Sequence, residues 1–326
     1  TVAQLLIKTM TTSAPRKSKK EFDPNKGYEE LANSLIQIME KGTNPFRRTW
    51  SSEQQHTNFV TGDAYQNGNL ICLEIARICR GFTSPYWMGF SQARSFGLKI
   101  KKGSKGSIIL RPIAIKKELL DTNGKPVLDI NGNKEFTAFT LFTPCRVFNL
   151  DCFEKSEKLN KRLAELNKEV AVNQTPVSAK EAKAIKQLQN YMDTQNIDFQ
   201  QTGNSAFYDP INDSVTVPTQ NRFETNSLFV AVTSHELGHS TGHKKRLNRK
   251  GITDKSAVFG SDLYATEELI ADTTSWLCCN EFQIDSNDDI HASYLAGWIK
   301  VLKKEPKHLL TVIGQAVKAK NLIMGS

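Results

Sequence analysis

The segment VTSHELGHSTGHKKRL, residues 232–247, restricts the possible folds of this chain most strongly. His235 and His239 are four residues apart, so on a helix both rings project from one face, one turn apart. Glu236 lies between them. This H-E-x-x-H spacing is typical of a helix that binds zinc through two imidazoles and supplies a glutamate as general base. The apolar run NSLFVAVTS that precedes the motif predicts that the helix is buried.

A third metal ligand must come from elsewhere in the chain, and His243 is the first candidate. In the longer pattern H-E-x-x-H-x-x-G-x-x-H the final histidine position is occupied here by Lys245, and His243 stands two residues too early. His243 also lies past Gly242, which is a predicted helix end. We therefore disfavour His243 as a ligand.

The segment SDLYATEELIADTTSWL, residues 261–277, offers better candidates. Glu268 and Asp272 are one helical turn apart, which suits a metal ligand followed by an acid that hydrogen-bonds a ligating histidine. Glu267 would reach from the same helix, but the residue one turn later is Ala271, which cannot support a histidine. We predict that His235, His239 and Glu268 bind Zn²⁺, that Asp272 supports a ligating ring, and that water takes the fourth position. A closed structural site is the alternative.

Catalytic roles follow from this metal assignment. Glu236 is the predicted general base, and a second group is needed to stabilise the oxyanion. Tyr264, His291 and Tyr294 are candidates, of which Tyr264 is preferred. Upstream, the segment AFYDPINDSVTVP, residues 206–218, predicts two short strands around a turn, where zinc peptidases keep the edge strand that pairs with a bound peptide.

Charge is distributed unevenly along the chain. Residues 1–150 hold 22 Lys and Arg against 12 Asp and Glu, whereas residues 151–326 hold 21 against 22. A basic first half with an excess of +10 indicates a module that binds a polyanion, although a basic surface retained for solubility is the alternative. This half mixes two predicted helices, at 27–42 and 67–82, with a β-rich run at 107–115 and a candidate strand pair at 136–150. The predicted class is α+β.

Basic loops interleaved with aromatic residues favour single-stranded DNA as the polyanion, because cations follow the phosphates and exposed rings stack on unpaired bases. Trp50 has polar neighbours and is predicted to be exposed, whereas Trp87 and Phe90 fit an apolar periodicity and are predicted to be core. The predicted DNA contacts are Arg47, Arg48, Trp50, Lys99, Lys101, Lys102 and Lys105.

These observations predict two domains, a DNA-binding domain at 27–153 and a zincin-like domain at 181–326. A disordered basic tail at 1–26 precedes the first, and a charged linker at 154–180 joins the two. No apolar run approaches the roughly 20 residues of a membrane helix, and the first residues are too weakly apolar for a signal peptide. We expect a cytoplasmic protein with no membrane partner. The six cysteines include no C-x-x-C pair and are expected to be free thiols.

From about residue 27 onward the chain resembles the ArdC-type antirestriction proteins. GTNPFRRTW, TGDAYQNGNLICL, SPYWMGFSQARSFGLKIKKGSKG and RVFNLD are similar to the N-terminal domain of that family, and YDPINDSVTVP, HELGHSTGHKKRLNR and YATEELIAD to its metallopeptidase domain. The chain departs from the family at Ser240, where an aromatic is common, and at Asp272, where glutamate is frequent. Neither departure removes a predicted ligand.

The resemblance implies a domain that binds single-stranded DNA without sequence preference, joined to a zincin-like domain, in proteins of mobile elements that protect entering DNA from restriction. It also implies the same ligands, His235, His239 and Glu268, with Glu236 as base. The family shares its layout with proteases that digest proteins crosslinked to DNA, so a peptide or protein substrate near DNA is expected. The competing function is a protein that coats single-stranded DNA and has a structural or inactive metal site.

Overall fold

The structure is a computed structural model that describes residues 24–42, 55–119, 125–172, 177–285 and 292–326. It mixes helices and strands, so the predicted α+β class is confirmed. Across the described ranges no helix is both long and apolar enough to cross a membrane. All six cysteines are free thiols, as predicted.

Within the described residues, the N-terminal part contains three α-helices and a four-stranded sheet. Its elements are α1 Pro24–Glu40, β1 Thr57–Asn58, α2 Gly68–Arg80, β2 Tyr86–Gly89, α3 Phe90–Ser95, β3 Ser107–Glu118 and β4 Phe136–Asn149. The strand order is β1-β2-β4-β3; β1 is parallel to β2, and the other neighbours are antiparallel. Two helices predicted from the sequence, at 27–42 and 67–82, correspond to α1 and α2.

The candidate strand pair at 136–150 is instead one continuous strand. Its partner is β3, and the register runs from Ser107 opposite Val147 to Glu118 opposite Phe136. Each strand contains one proline, which has no N–H to donate to a neighbouring strand. Pro112 lies on β3, the outer strand of the sheet, and Pro144 lies on β4 before Val147, where the pairing with β2 begins. The two strands therefore form a long hairpin.

The C-terminal part surrounds a three-stranded sheet with helices. After helix α4 Glu157–Val172, its elements are α5 Val177–Gln195, β5 Asp198–Gln201, β6 Phe207–Asp209, β7 Ser214–Val217, α6 Asn226–Ser240, α7 Lys250–Thr253, α8 Asp262–Phe282, α9 Ala292–Lys304 and α10 His308–Met324. The strand order is β5-β7-β6, with β5 parallel and β6 antiparallel to β7. The two strands predicted around residues 209–213 are confirmed, and β6 is an edge strand.

Helices α6 and α8 pack against each other and carry the predicted metal ligands. Gly238 permits their close approach, because a Cβ at this position would come within 3.2 Å of the Ala271 Cα atom. The Thr225 hydroxyl accepts the Leu228 N–H and starts α6, and the Ser261 hydroxyl accepts the Tyr264 N–H and starts α8. These two hydroxyls therefore set the residues at which α6 and α8 begin.

One apolar core joins the two halves of the chain. Leu31 and Leu35 of α1 and Ile71 of α2 lie in the same buried cluster as Leu269 of α8 and Trp298 of α9. The predicted linker, residues 154–180, contains helix α4, which packs into the core of the N-terminal part. The predicted domain limits remain predictions, but the helices on either side of them share buried surface.

Candidate metal centre

Three side chains from α6 and α8 bring their donor atoms to one point. The Nε2 atoms of His235 and His239 are 3.1 Å apart, and the Glu268 carboxylate lies 3.5 Å from the first and 3.7 Å from the second. In the part of the chain that the structure describes, these three residues form the one group of this kind that could hold a metal ion. Glu268, and not His243, completes the set.

Each histidine ring is held through its other nitrogen. The Nδ1 atom of His235 lies 2.7 Å from Asp272 Oδ1, and that of His239 lies 3.3 Å from Glu267 Oε1. A ring that donates its Nδ1–H to a carboxylate carries the lone pair on Nε2, which is the tautomer that binds a metal. The two lone pairs then face each other and repel unless a cation lies between them.

The spacing of the donors fits a metal ion. Ligand atoms bound to one tetrahedral ion at about 2.1 Å are about 3.4 Å apart, and the three separations given above are close to that distance. Two imidazoles and a carboxylate are also a donor set that leaves coordination positions open. The residues therefore fit a divalent metal with exchangeable positions.

The charges around the rings favour a cation at this point. Burial opposes protonation of both rings, but the Asp272 carboxylate raises the pKa of His235 well above its usual value. Glu267 and Glu268 likewise overcome burial and raise the pKa of His239 to about 9. Burial would raise the pKa of Glu268, yet its hydrogen bonds to the two rings lower it. The site is thus electrostatically arranged for positive charge.

Glu267 and Arg249 form a support that the sequence pattern did not reveal. The Arg249 guanidinium donates to both oxygens of Glu267, at 2.9 and 2.5 Å, and also to the Gly238 carbonyl and the Thr241 hydroxyl. Both side chains are almost completely buried. The ion pair lowers the pKa of Glu267 although burial opposes this. Glu267 thus supports His239 directly, although the residue one turn after it on α8 is Ala271.

His243 belongs to a different cluster. Its Nδ1 atom lies 3.6 Å from Asp213 Oδ2 and accepts a hydrogen bond from the Lys245 N–H. Asp213 also pairs with Arg246 and accepts a hydrogen bond from the Tyr208 hydroxyl. These contacts tie the β6–β7 hairpin to the turn that follows α6, so they set the position of the edge strand relative to the histidines.

A cleft of about 330 Å³ opens above the three donors. Glu236 is buried and lines this cleft. Other lining residues belong to β6 and the turn after it, to α7 with residues 254–257, and to the start of α8. Tyr264 lines the cleft from α8, with its ring 5.5 Å from that of Phe259. His291 and the side chain of Tyr294 lie outside the described residues.

The predicted DNA contacts fall into two sets. Arg47, Arg48 and Trp50 lie outside the described residues. The remaining set consists of exposed side chains on and beside the turn at 101–106, namely Lys99, Lys101, Lys102 and Lys105. Two arginines brace this turn by donating to its carbonyls: Arg80 to Lys105 O and Arg146 to Gly106 O.

The aromatic residues near this turn differ from each other in burial. Trp87 is fully buried, as predicted, and its indole N–H donates to His56 Nδ1. The prediction of a core position for Phe90 is wrong, because this side chain is 62% exposed. Phe90 begins α3 directly after β2 ends, where the chain turns away from the sheet, so a pattern of apolar spacing does not apply there.

Two family models match successive parts of the chain. Residues 25–148 match a family model described as the N-terminal domain of anti-restriction factor ArdC, and residues 186–315 match one described as a zincin-like metallopeptidase. The class of protein is therefore an ArdC-type N-terminal domain joined to a zincin-like metallopeptidase domain.

Solved structures agree over nearly the whole chain. The metal-free crystal structure of antirestriction protein ArdC from plasmid R388 superposes with a TM-score of 0.62 at 23% identity, covering 91% of this chain and 96% of that one. The Mn(II)-bound structure of the same protein gives 0.60 at 22% identity, covering 93% and 98%. Together with the two family models, these structures support an ArdC-type protein in domain content and fold.

Related sequences occur in proteins of very different length. Two DNA primases TraC of Escherichia coli are 29% and 30% identical over 93% and 91% of this chain, which spans only 20% and 27% of their lengths. Protein y4eC of Sinorhizobium fredii is 25% identical, with 90% of both chains covered. The same two-part unit thus occurs both as most of a protein and as a fraction of a larger one.

Proposed function

We propose that this protein is a metallopeptidase that single-stranded DNA recruits, and that it acts on proteins on or near that DNA. The observation that carries this proposal is the convergence of His235, His239 and Glu268 beside Glu236 in an open cleft. Mn(II) in the R388 relative and the zincin-like family support a divalent metal, and we propose zinc because two imidazoles and one carboxylate are a common catalytic zinc set.

Bound at this site, the metal would act as a Lewis acid toward a peptide carbonyl and lower the pKa of water. Glu236 accepts the proton of the attacking water at its carboxylate and returns it to the leaving amine. Asp272 and Glu267 hold the two rings in the tautomer that leaves Nε2 unprotonated. Tyr264 is the proposed donor to the carbonyl oxygen, because it lines the wall of the cleft.

The β6 edge is the proposed docking site for the substrate backbone. Among the described strands, β6 pairs only with β7, so its outer edge is available to an extended chain. Residues 206–208 line the cleft beside the metal donors. A peptide paired with this edge would lie in the same cleft as Glu236.

The proposed DNA site lies at one end of the four-stranded sheet. Gly89 and Ser107 both pair with Val147 from opposite sides, so Phe90 and the turn at 101–106 are roughly 10 Å apart. The turn supplies lysines for the phosphates, and the exposed Phe90 ring supplies a stacking surface. We retain Arg47, Arg48 and Trp50 as further contacts on the sequence argument. The biological role proposed from the family is protection of entering DNA from restriction, in the cytoplasm.

The test is cleavage of added proteins by the full chain loaded with zinc, with and without single-stranded DNA. We expect cleavage that DNA stimulates. Glu236→Gln is expected to retain the metal and lose cleavage, whereas His239→Ala is expected to lose the metal, measured by elemental analysis. Normal turnover by Glu236→Gln would exclude this residue as the base. DNA protection without any cleavage would instead favour the strand-coating function.

A further inference from the structure

Four large apolar side chains at or next to the cleft are exposed. Phe207 is 51% exposed, Ile211 90%, Val258 61% and Phe259 75%. We call these four residues the apolar rim. They are four of the ten large apolar side chains that are exposed among the described residues. Four others, Leu119, Leu128, Ile130 and Phe136, lie toward the end of the β3–β4 hairpin.

The apolar rim belongs to two segments that line the cleft. Phe207 itself lines the cleft, and Ile211 follows Pro210, which also lines it. In the second segment, Val258 and Phe259 follow the lining residue Ala257, and the Phe259 ring lies 5.5 Å from that of Tyr264, which lines the cleft as well. An extended chain lying along β6 in this cleft is therefore close to apolar side chains of both segments.

The backbone under the apolar rim is held firmly, so the exposure does not arise from a lack of backbone contacts. On the hairpin side, Asp209 accepts the Ile211 N–H, and Asp213 is tied to Arg246 and Tyr208. On the other side, the Ala257 N–H donates to the Asp254 carbonyl and the Ser261 N–H donates to the Val258 carbonyl. Anchored loops that keep apolar side chains in water indicate a surface that receives an apolar ligand.

We propose that the substrate is an unfolded polypeptide segment with apolar side chains on both sides of the bond to be cleaved. This inference rests on the proposed peptidase function and specifies its substrate class. Folded proteins bury such segments and do not offer an extended backbone to an edge strand. A second copy of this chain is the competing occupant, and the experiment below distinguishes it from a peptide.

The experiment measures peptide binding by the full-length, zinc-loaded Glu236→Gln variant, using fluorescence anisotropy. The probes are a labelled peptide with apolar residues and a peptide of equal length and charge in which serine replaces them. We expect the apolar peptide to bind at least about tenfold more tightly. Ile211→Ser with Phe259→Ser should remove most of this difference. Val177→Ser, at a similarly exposed position on α5 away from the cleft, should leave the difference unchanged.

Equal binding of the two peptides would overturn the inference, as would an unchanged preference in the Ile211→Ser, Phe259→Ser variant. It would also be overturned if that variant converted a self-associating wild type into a monomer without changing peptide affinity. Cleavage by the wild type separates the two proposals. If apolar and serine peptides are cleaved alike, the peptidase function stands and the inference fails. If the apolar preference in binding persists without cleavage of any protein, the inferred specificity stands and the peptidase function fails.

Discussion

At the scale of single residues, the metal donors depend on the acids behind them. Asp272 is one turn from Glu268 on the same helix, so spacing alone predicted its role. Glu267 acts through a different geometry, since it contacts His239 from α8 and is itself clamped by Arg249. The bidentate contact fixes the carboxylate in place and compensates for its burial.

We predict that Glu267→Gln weakens metal binding about 10- to 100-fold, because the His239 ring loses its charged support. Competition with a chelator of known affinity measures this loss. Glu281→Gln, at an exposed position on the same helix, is the matched control and is expected to bind metal normally. Unchanged affinity in Glu267→Gln would show that the ring is positioned without this carboxylate.

At the scale of elements, α2 is attached to the rest of the N-terminal part by a buried network. Glu74 pairs with Arg77 and with His56, whose other ring nitrogen accepts the indole N–H of Trp87. Burial would raise the pKa of Glu74, but the hydrogen bonds from Arg77 and His56 outweigh it and lower the pKa to about 2. The charged form is therefore the form that stabilises the fold.

Because the folded pKa is lowered, the contribution of Glu74 is fully present above its usual value of 4.5 and is lost as pH falls toward 2. Its size at neutral pH is on the order of 3 kcal/mol. Urea unfolding between pH 7 and pH 3 should show a smaller loss of stability in Glu74→Gln than in the wild type. Glu29→Gln, at an exposed position on α1, should follow the wild type. Parallel curves for all three proteins would contradict this assignment.

The proposed DNA site is the end of the four-stranded sheet that carries Phe90 and the turn at 101–106. Phe90→Ala should weaken single-stranded DNA binding by ~1–3 kcal/mol and leave its salt dependence unchanged, because stacking releases no counterions. Lys101→Ala with Lys102→Ala should weaken binding to all sequences alike and reduce the salt slope. Titrations of the full chain at several salt concentrations separate the two effects. Phe136→Ala, at an exposed position at the far end of β4, is the control.

At the scale of the whole molecule, the N-terminal part and the part with the candidate metal centre share a core. Helices α1 and α2 bury apolar side chains mainly against α9 and α10, in the same cluster as apolar side chains of α8, which carries Glu268. Destabilising α1 is therefore expected to affect the metal centre, although the two lie in different halves of the chain.

We predict that Leu35→Ala, at a fully buried position on α1, lowers stability by about 2–5 kcal/mol and promotes metal release at the same denaturant concentration as loss of secondary structure. Circular dichroism and a metal-sensitive dye, followed during one urea titration, measure both events. Leu119→Ala, at an exposed position after β3, should behave like the wild type. Metal release that is unaffected by Leu35→Ala would show that the halves unfold independently.

The sequence alone determined the local features. The i, i+4 spacing of His235 and His239 and the E-x-x-x-D spacing of Glu268 and Asp272 are properties of single helices, so periodicity was enough to predict them. The tertiary structure decided the features that require contact between residues far apart in the chain. Arg249 reaches Glu267 from the loop between α6 and α7, Phe90 is exposed at the start of α3, and α1 packs on α9 near the other end of the chain. Such contacts depend on how the elements pack together, and no local pattern of residues encodes them.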